Sequence, residues 1–210
     1  MLTIALPKGR IAEETLEIFA EIFAGKEGNE FKFEGRELIL DIGEFRFLNV
    51  RNQDVPTYVE HGAADMGVVG LDVITEKELD IIQLLDMQLG KCKVSIGIKN
   101  EDELDWNRPN IKVATKMVNI TKAYFAKKAV GVEVVKLYGS IELAPLVGLA
   151  DAIVDIVETG STMRENGLKV AEDIMDSSAH LIANKNSFYA KKGEILSLYE
   201  KIREVVQNRD

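Results

Sequence analysis

The chain has 210 residues, of which 46% are hydrophobic and 29% charged, and a formal net charge of -9. Those totals describe an ordinary globular protein with room for one large domain or two small ones. The acidic balance argues against nonspecific nucleic-acid binding, and the one cysteine, Cys92, excludes an internal disulfide or a cysteine-rich metal site. An anionic ligand is still allowed, because local basic residues set the field inside a cleft. No apolar run reaches the length of a membrane span, and the first residues enter a strand pattern instead of a signal sequence. A cytoplasmic location, with no membrane and no nucleic-acid partner, is expected.

Leu2 to Leu6 predicts a strand, broken by Pro7-Lys8-Gly9-Arg10, and Ile11, Thr15, Ile18, Phe19, Ile22 and Phe23 form a helical stripe. Strand, glycine turn and helix form an anion-cradle pattern, here with two cations, Lys8 and Arg10; Lys-Gly-Arg alone is equally a solvated turn. Arg36 to Leu40 and Arg46 to Arg51 read as a hairpin. A helix then starts near Asn52 or Asp54, with Pro56 in its first turn, and stops at Gly62. Arg51 stands at a strand end just before that helix. Ala64 to Gly70 and Ile81 to Leu85 are further strands, and Gly90 to Ile98 is an alternating strand that crosses to a second lobe. Glu101 to Trp106 is an acidic loop or short helix, with Trp106 as a packing anchor. Ile111 to Thr115 is a strand, Asn119 begins a helix stopped by Gly131, and Val132 to Lys136 is a strand. Gly139-Ser140-Ile141-Glu142 leads into a short helix at Leu143. Later, Leu168 to Met175 and Ala179 to Ala183 read as strands, the second returning to the first lobe. Ser187 is the expected cap of a last helix striped by Ile195, Leu198, Tyr199, Ile202 and Val206. Two α/β lobes with a double crossover follow: residues 1–90 plus 179–210, and residues 91–178. Such an architecture can close around a ligand.

The chemically richest stretch is Ala150-Asp151-Ala152-Ile153-Val154-Asp155-Ile156-Val157-Glu158-Thr159-Gly160-Ser161-Thr162. It opens as a buried strand and closes as a small hydroxyl-rich turn, with Thr162 to Glu165 read as a capping box. Backbone N–H groups at such a turn suit a phosphate. At strand spacing Asp151 and Asp155 point to one face, and Asp155 lies near the carboxyl end, where open α/β sheets bind ligands. Carboxylates repel a phosphate but accept hydroxyls or meet Mg²⁺, and a ribose phosphate has both ends. A buried strand with two solvated acids and a plain helix cap would carry the same pattern.

That stretch resembles the 5-phosphoribosyl-1-pyrophosphate loop of phosphoribosyltransferases. Taken with Leu6 to Ile11, Arg51 to Pro56, Ala64 to Gly70 and Gly139 to Pro145, in that order, the whole chain resembles the ATP phosphoribosyltransferase family. The resemblance implies two α/β domains similar to periplasmic binding proteins. It implies the first step of histidine biosynthesis, in which N1 of ATP is joined to C1 of phosphoribosyl pyrophosphate, with Mg²⁺ and release of pyrophosphate. It places Asp151 and Asp155 on the ribose hydroxyls, Thr159, Gly160, Ser161 and Thr162 on the 5-phosphate, and Glu142 near the ribose. Lys8, Arg10, Arg36 and Arg51 would face the pyrophosphate and triphosphate; of these Lys8, Arg36 and Arg51 are the catalytic candidates, Arg51 acting on the leaving group. Lys116-Met117-Val118-Asn119 departs from the family's Lys-Tyr-Pro-Asn. The chain resembles the short form, which pairs as a homodimer and joins a regulatory subunit resembling histidyl-tRNA synthetase in a hetero-octamer. A solute-binding protein and a phosphoribosyltransferase acting on a free base are the rival readings.

Overall fold

In the computed structural model, residues 1–23 and 31–209 are described. The chain opens with β1 (Leu2–Pro7), α1 (Arg10–Phe23), β2 (Ile39–Ile42) and β3 (Phe45–Val50). A 3-10 turn at Asn52–Asp54 leads to α2 (Val55–Glu60), β4 (Met66–Gly70), α3 (Leu71–Lys77) and β5 (Ile82–Asp86). Next come β6 (Cys92–Lys99), β7 (Asn110–Thr115), α4 (Val118–Lys127), β8 (Gly131–Lys136), α5 (Leu143–Leu146) and β9 (Ala152–Val157). The remaining elements are α6 (Ser161–Glu165), β10 (Leu168–Ser177), β11 (Ala179–Ala183), α7 (Lys185–Ala190) and α8 (Lys192–Asn208).

Two compact units result. One comprises Met1–Ile74, Glu78–Gly90 and Ser178–Asp210, the other Thr75–Lys77 and Lys91–Ser177. The chain leaves the first after Gly90 and returns at Ser178, which is the double crossover.

The first unit is built on a six-stranded sheet of order β2-β3-β1-β4-β11-β5. β1 runs parallel to β3 and β4, while β11 runs antiparallel to β4 and β5. Strand alternation explains why β1 is apolar throughout. Leu2, Ile4 and Leu6 pack with α1 and α8, and Ala5 packs on the opposite face with Val55 and Val59 of α2. The second unit has a five-stranded sheet of order β10-β6-β9-β7-β8, in which β7, β8 and β9 are parallel. Val94, Ile96, Val113 and Val154 face Phe125 of α4, while Ala114 and Ile153 face Ala144 of α5 and Met163 of α6.

Several local signals were overridden. Gly131 does not stop α4; it opens β8, and Ala129 takes the left-handed turn at φ 56°. Gly131 fits there because an added Cβ would lie 2.5 Å from the Pro109 carbonyl oxygen. The last helix is two helices, and the cap is Asn184: its side chain accepts the Ser187 N–H at 2.9 Å. Asn184 wins because its amide nitrogen also donates to the carbonyls of Val59 and Glu60, which end α2. Helix α3, which the chain's apolar periodicity did not announce, caps directly on the carboxyl end of β4. Trp106 is the anchor expected, its ring centroid 5.6 Å from that of Phe125.

Asp65 ties the ends of the first unit together. One oxygen, Oδ2, accepts the Thr3 N–H at 2.9 Å and the Lys191 ammonium at 2.8 Å. Burial pushes this carboxyl up, but Lys191, the Thr3 N–H and Ser187 outweigh it and hold it below the ordinary carboxylate range. A depressed folded pKa gives stability above the unfolded value of about 3.9 that is lost as pH falls through the folded value. Asp65→Asn should therefore lower unfolding free energy by about 1–3 kcal/mol at neutral pH. In denaturant titrations its deficit against the parent should shrink steadily as the pH drops below about 4.

Candidate functional site

In the second unit the site grows out of β9. Asp155 is the next-to-last polar position before the turn, and alternation puts it on the same face as Ile153. That face packs against Met163 of α6, so the Thr159–Thr162 turn folds back over the side on which Asp155 projects. Asp155 Oδ1 accepts the Ile156 N–H at 2.8 Å and lies 3.0 Å from the Lys116 ammonium. Among the described residues nothing bonds Oδ2.

The turn differs from the expected capping box. Helix α6 starts at Ser161 with Gly160 as its N-cap, so Thr162 is inside the helix. Gly160 is left-handed at φ 72° and has no side chain with which to cap; the Ser161 N–H is met instead by Thr159 Oγ1 at 3.4 Å, a long bond that an anion can replace. Thr159 Oγ1 and Ser161 Oγ lie 3.0 Å apart, and the Arg164 guanidinium donates to the Thr159 carbonyl at 3.0 Å. A Cβ on Gly160 would come within 3.0 Å of that guanidinium. Two hydroxyls, the N–H groups of a helix start and a cation thus gather at one turn.

Two sequence candidates sit elsewhere in this unit. Glu142 is the N-cap residue of α5, on the connection leaving the carboxyl end of β8, two strands across from β9. Asp151 precedes β9 at its amino end, roughly 13 Å along the strand from Asp155. It accepts the Lys112 N–H at 2.8 Å and the Arg108 guanidinium at 3.1 Å. Burial raises the Asp151 carboxyl, but those two donors prevail and hold it below the usual range. The structure therefore separates Asp151 from Asp155 and the turn. Equal side-chain direction on a strand does not mean equal position along it.

In the first unit two of the basic candidates, Lys8 and Arg51, stand at the carboxyl ends of parallel strands. Pro7 pairs with Val50, and the Lys8 N–H donates to the Val50 carbonyl at 2.8 Å, so Lys8 and Arg51 occupy adjacent strand ends. Gly9, at φ 101°, makes the turn into α1, where Arg10 is the first residue and lies 3.6 Å from Glu14. Lys8 and Arg36 line one groove of about 900 Å³ together with Lys32 and Asn49. Neither Arg10 nor Arg51 lines it. Asn49 Oδ1 is buried there with no partner among the described residues. Motif reading passed over Asn49 and gave Arg164 no role beyond the capping box. Lys116 was noted only for the departure of Lys116-Met117-Val118-Asn119 from the family's Lys-Tyr-Pro-Asn; like Arg51, it directly follows a strand of a parallel pair.

Known proteins share this sequence and fold. A family model described as HisG, ATP phosphoribosyltransferase, matches residues 51–204. The ATP phosphoribosyltransferase of Sulfurovum sp. (strain NBC37-1) is 88% identical over 209 residues, covering 100% of both chains. That of Campylobacter concisus (strain 13826) is 69% identical over 206 residues, covering 98% of this chain and 99% of its own. Among solved structures, a chain of the ATP phosphoribosyl transferase (HisG:HisZ) complex from Thermotoga maritima is 33% identical with a TM-score of 0.84. The match covers 99% of this chain and all of that one. The substrate binding protein of an amino acid ABC transporter, 12% identical with a TM-score of 0.61 over 98% of this chain and 91% of its own, shares the fold alone. On the family match and these identities, the chain belongs to the ATP phosphoribosyltransferase family.

Proposed function

We propose that this chain joins N1 of ATP to C1 of 5-phosphoribosyl-1-pyrophosphate and releases pyrophosphate, the first step of histidine biosynthesis. The observation that carries this reading is the pairing of Asp155, with one oxygen unengaged, and a hydroxyl-rich turn with a glycine N-cap on the same face of β9. The turn residues Thr159, Gly160, Ser161 and Thr162 take the 5-phosphate, Asp155 a ribose hydroxyl, and Glu142 lies toward the ribose. In the first unit Lys8, Arg10, Arg36 and Arg51 take the pyrophosphate and triphosphate groups. Asp151, held by Arg108 and Lys112, is assigned to the scaffold of the second unit.

The chemistry asks for no protein nucleophile. Adenine N1 attacks C1 as the C1–O bond to pyrophosphate breaks, and positive charge builds on the ribose as in glycosyl transfer. The protein must hold two polyanions in line and stabilise the charge gathering on the departing group. Among the described residues no cluster of three or more acid, histidine or cysteine side chains is set to hold a metal. We assign Mg²⁺ to the substrate, travelling with its pyrophosphate, so that Asp155 stays with the ribose hydroxyl. Such an ion would neutralise pyrophosphate charge. No helix among the described residues is long and apolar enough to cross a membrane, and we assign the chain to the cytoplasm. The Thermotoga maritima structure is a HisG:HisZ complex; by that likeness we assign this chain a partner, and we take the partner to be a regulatory subunit resembling histidyl-tRNA synthetase, in a hetero-octamer with homodimers of this chain.

The direct test is absorbance growth from phosphoribosyl-ATP when the purified chain meets ATP, phosphoribosyl pyrophosphate and Mg²⁺. Binding without turnover would favour a solute-binding protein, and turnover of adenine but not ATP would favour base salvage. Asp155→Asn should raise KM for phosphoribosyl pyrophosphate at least about tenfold while the variant still folds, the loss expected of a charge-assisted hydrogen bond. Arg51→Ala should lower kcat on the order of a hundredfold while KM values move little, since it acts where charge grows in the transition state. A pure KM effect would restrict Arg51 to ground-state binding. Asp151→Asn should do the opposite of Asp155→Asn, lowering thermal stability with KM for phosphoribosyl pyrophosphate within about twofold of the parent.

A further inference from the structure

Placing ribose at Asp155 creates an electrostatic problem. The ligand carries phosphate groups at both ends, and an uncompensated carboxylate between them repels both. The structure supplies the compensation on the neighbouring strand. Thr115 pairs with Val154 in the parallel β7–β9 ladder, which brings Lys116, one residue further on, beside Asp155. Its ammonium is 3.0 Å from Oδ1, with the Lys116 side chain 34% and the Asp155 side chain 17% exposed. The Ile156 N–H meets the same oxygen at 2.8 Å. Ser95, opposite Asp155 on β6, directs its hydroxyl to Asp173 instead, at 2.7 Å. Lys116 is therefore the one side-chain partner of Asp155 among the described residues, and both donors hold Oδ1.

We infer that Lys116 is a positioning residue for the phosphoribosyl substrate: it neutralises Asp155 and pins Oδ1, so that Oδ2 is presented to a ribose hydroxyl. This rests on the assignment of ribose to Asp155. The ammonium has three donors and needs only one for the carboxylate, so it can stay in place when the hydroxyl arrives. Its effect falls on substrate binding, because the Lys116–Asp155 pair is already formed before any charge develops in the reaction.

The test is a double-mutant cycle on the full chain, read as KM for phosphoribosyl pyrophosphate and kcat at saturating ATP and Mg²⁺. Lys116→Met should raise KM about tenfold with kcat within about threefold, and Lys116→Arg should recover most of the loss. Lys116→Gln provides a second neutral variant, and thermal melts confirm that each variant is folded. In an Asp155→Asn background, Lys116→Met should change KM by less than about twofold, since it acts through the carboxylate. An unchanged KM in Lys116→Met, an equal penalty with and without Asp155, or a loss confined to kcat would each overturn the inference. An unchanged KM in Asp155→Asn alone would overturn the ribose assignment itself. A normal Asp155→Asn penalty with a silent Lys116→Met would sink only the role of Lys116.

Discussion

The second unit depends on β9 being paired along both edges. Its backbone is fixed by antiparallel bonds to β6 and parallel bonds to β7. Thr115 adds a buried hydroxyl bond to the Val154 carbonyl at 2.7 Å, and the Thr115 oxygen in turn accepts the Met117 N–H. Buried polar groups satisfied in this way cannot shift without losing several partners at once. The consequence is positional: the last residues of β7 and β9, and the turn after β9, leave the sheet at a defined height. Gly97 extends the same constraint, because any Cβ there would lie 2.9 Å from Ile153 and about as close to Met163. Close packing of α6 on the sheet is therefore what carries the hydroxyl turn back toward Asp155.

The first unit reaches a comparable result by a different route. It offers Lys8 and Arg51 at the ends of adjacent parallel strands, and Arg36 lines a groove with Lys8. Both units use the carboxyl edge of parallel strands, where loops can vary while the sheet holds them in place. On the proposed assignment the division of labour is chemical. Hydroxyl recognition requires an acceptor with limited net charge, which a carboxylate paired to lysine provides. Polyphosphate binding and leaving-group stabilisation require cations.

Long apolar runs were legible in the chain, because burial on both faces leaves little choice of residue. β1, β4, β6, β9 and β11 all fall where those runs predict. Punctuation was less legible. Glycine marks a turn only when the backbone there needs positive φ, and Gly131 is a glycine for lack of space beside Pro109. Asn184 outranks Ser187 as a cap because of contacts with Val59 and Glu60, residues more than a hundred positions away. The two aspartates of the central stretch show the same limit. Spacing gave their common face, but only the ladder shows that Asp151 belongs with Arg108 at one end and Asp155 with Lys116 at the other. Pairing across strands is non-local information that periodicity does not carry.

The carboxyls held below their ordinary range separate structure from chemistry. Asp65 is bound to Lys191 and the Thr3 N–H, Asp151 to Lys112 and Arg108, Asp173 to Lys93 and Ser95, and Glu172 to Lys128 and Tyr124. Each of these clusters ties separate segments of one unit together, β1 to the α7–α8 junction, β7 to the start of β9, β6 to β10 and α4 to β10, and none includes the hydroxyl turn. That distribution suits the reaction. An attacking ring nitrogen and a departing pyrophosphate exchange a bond without needing a tuned acid or base from the protein. What remains for the protein is placement of charge, and placement is supplied by strand ends whose height the ladders have already set.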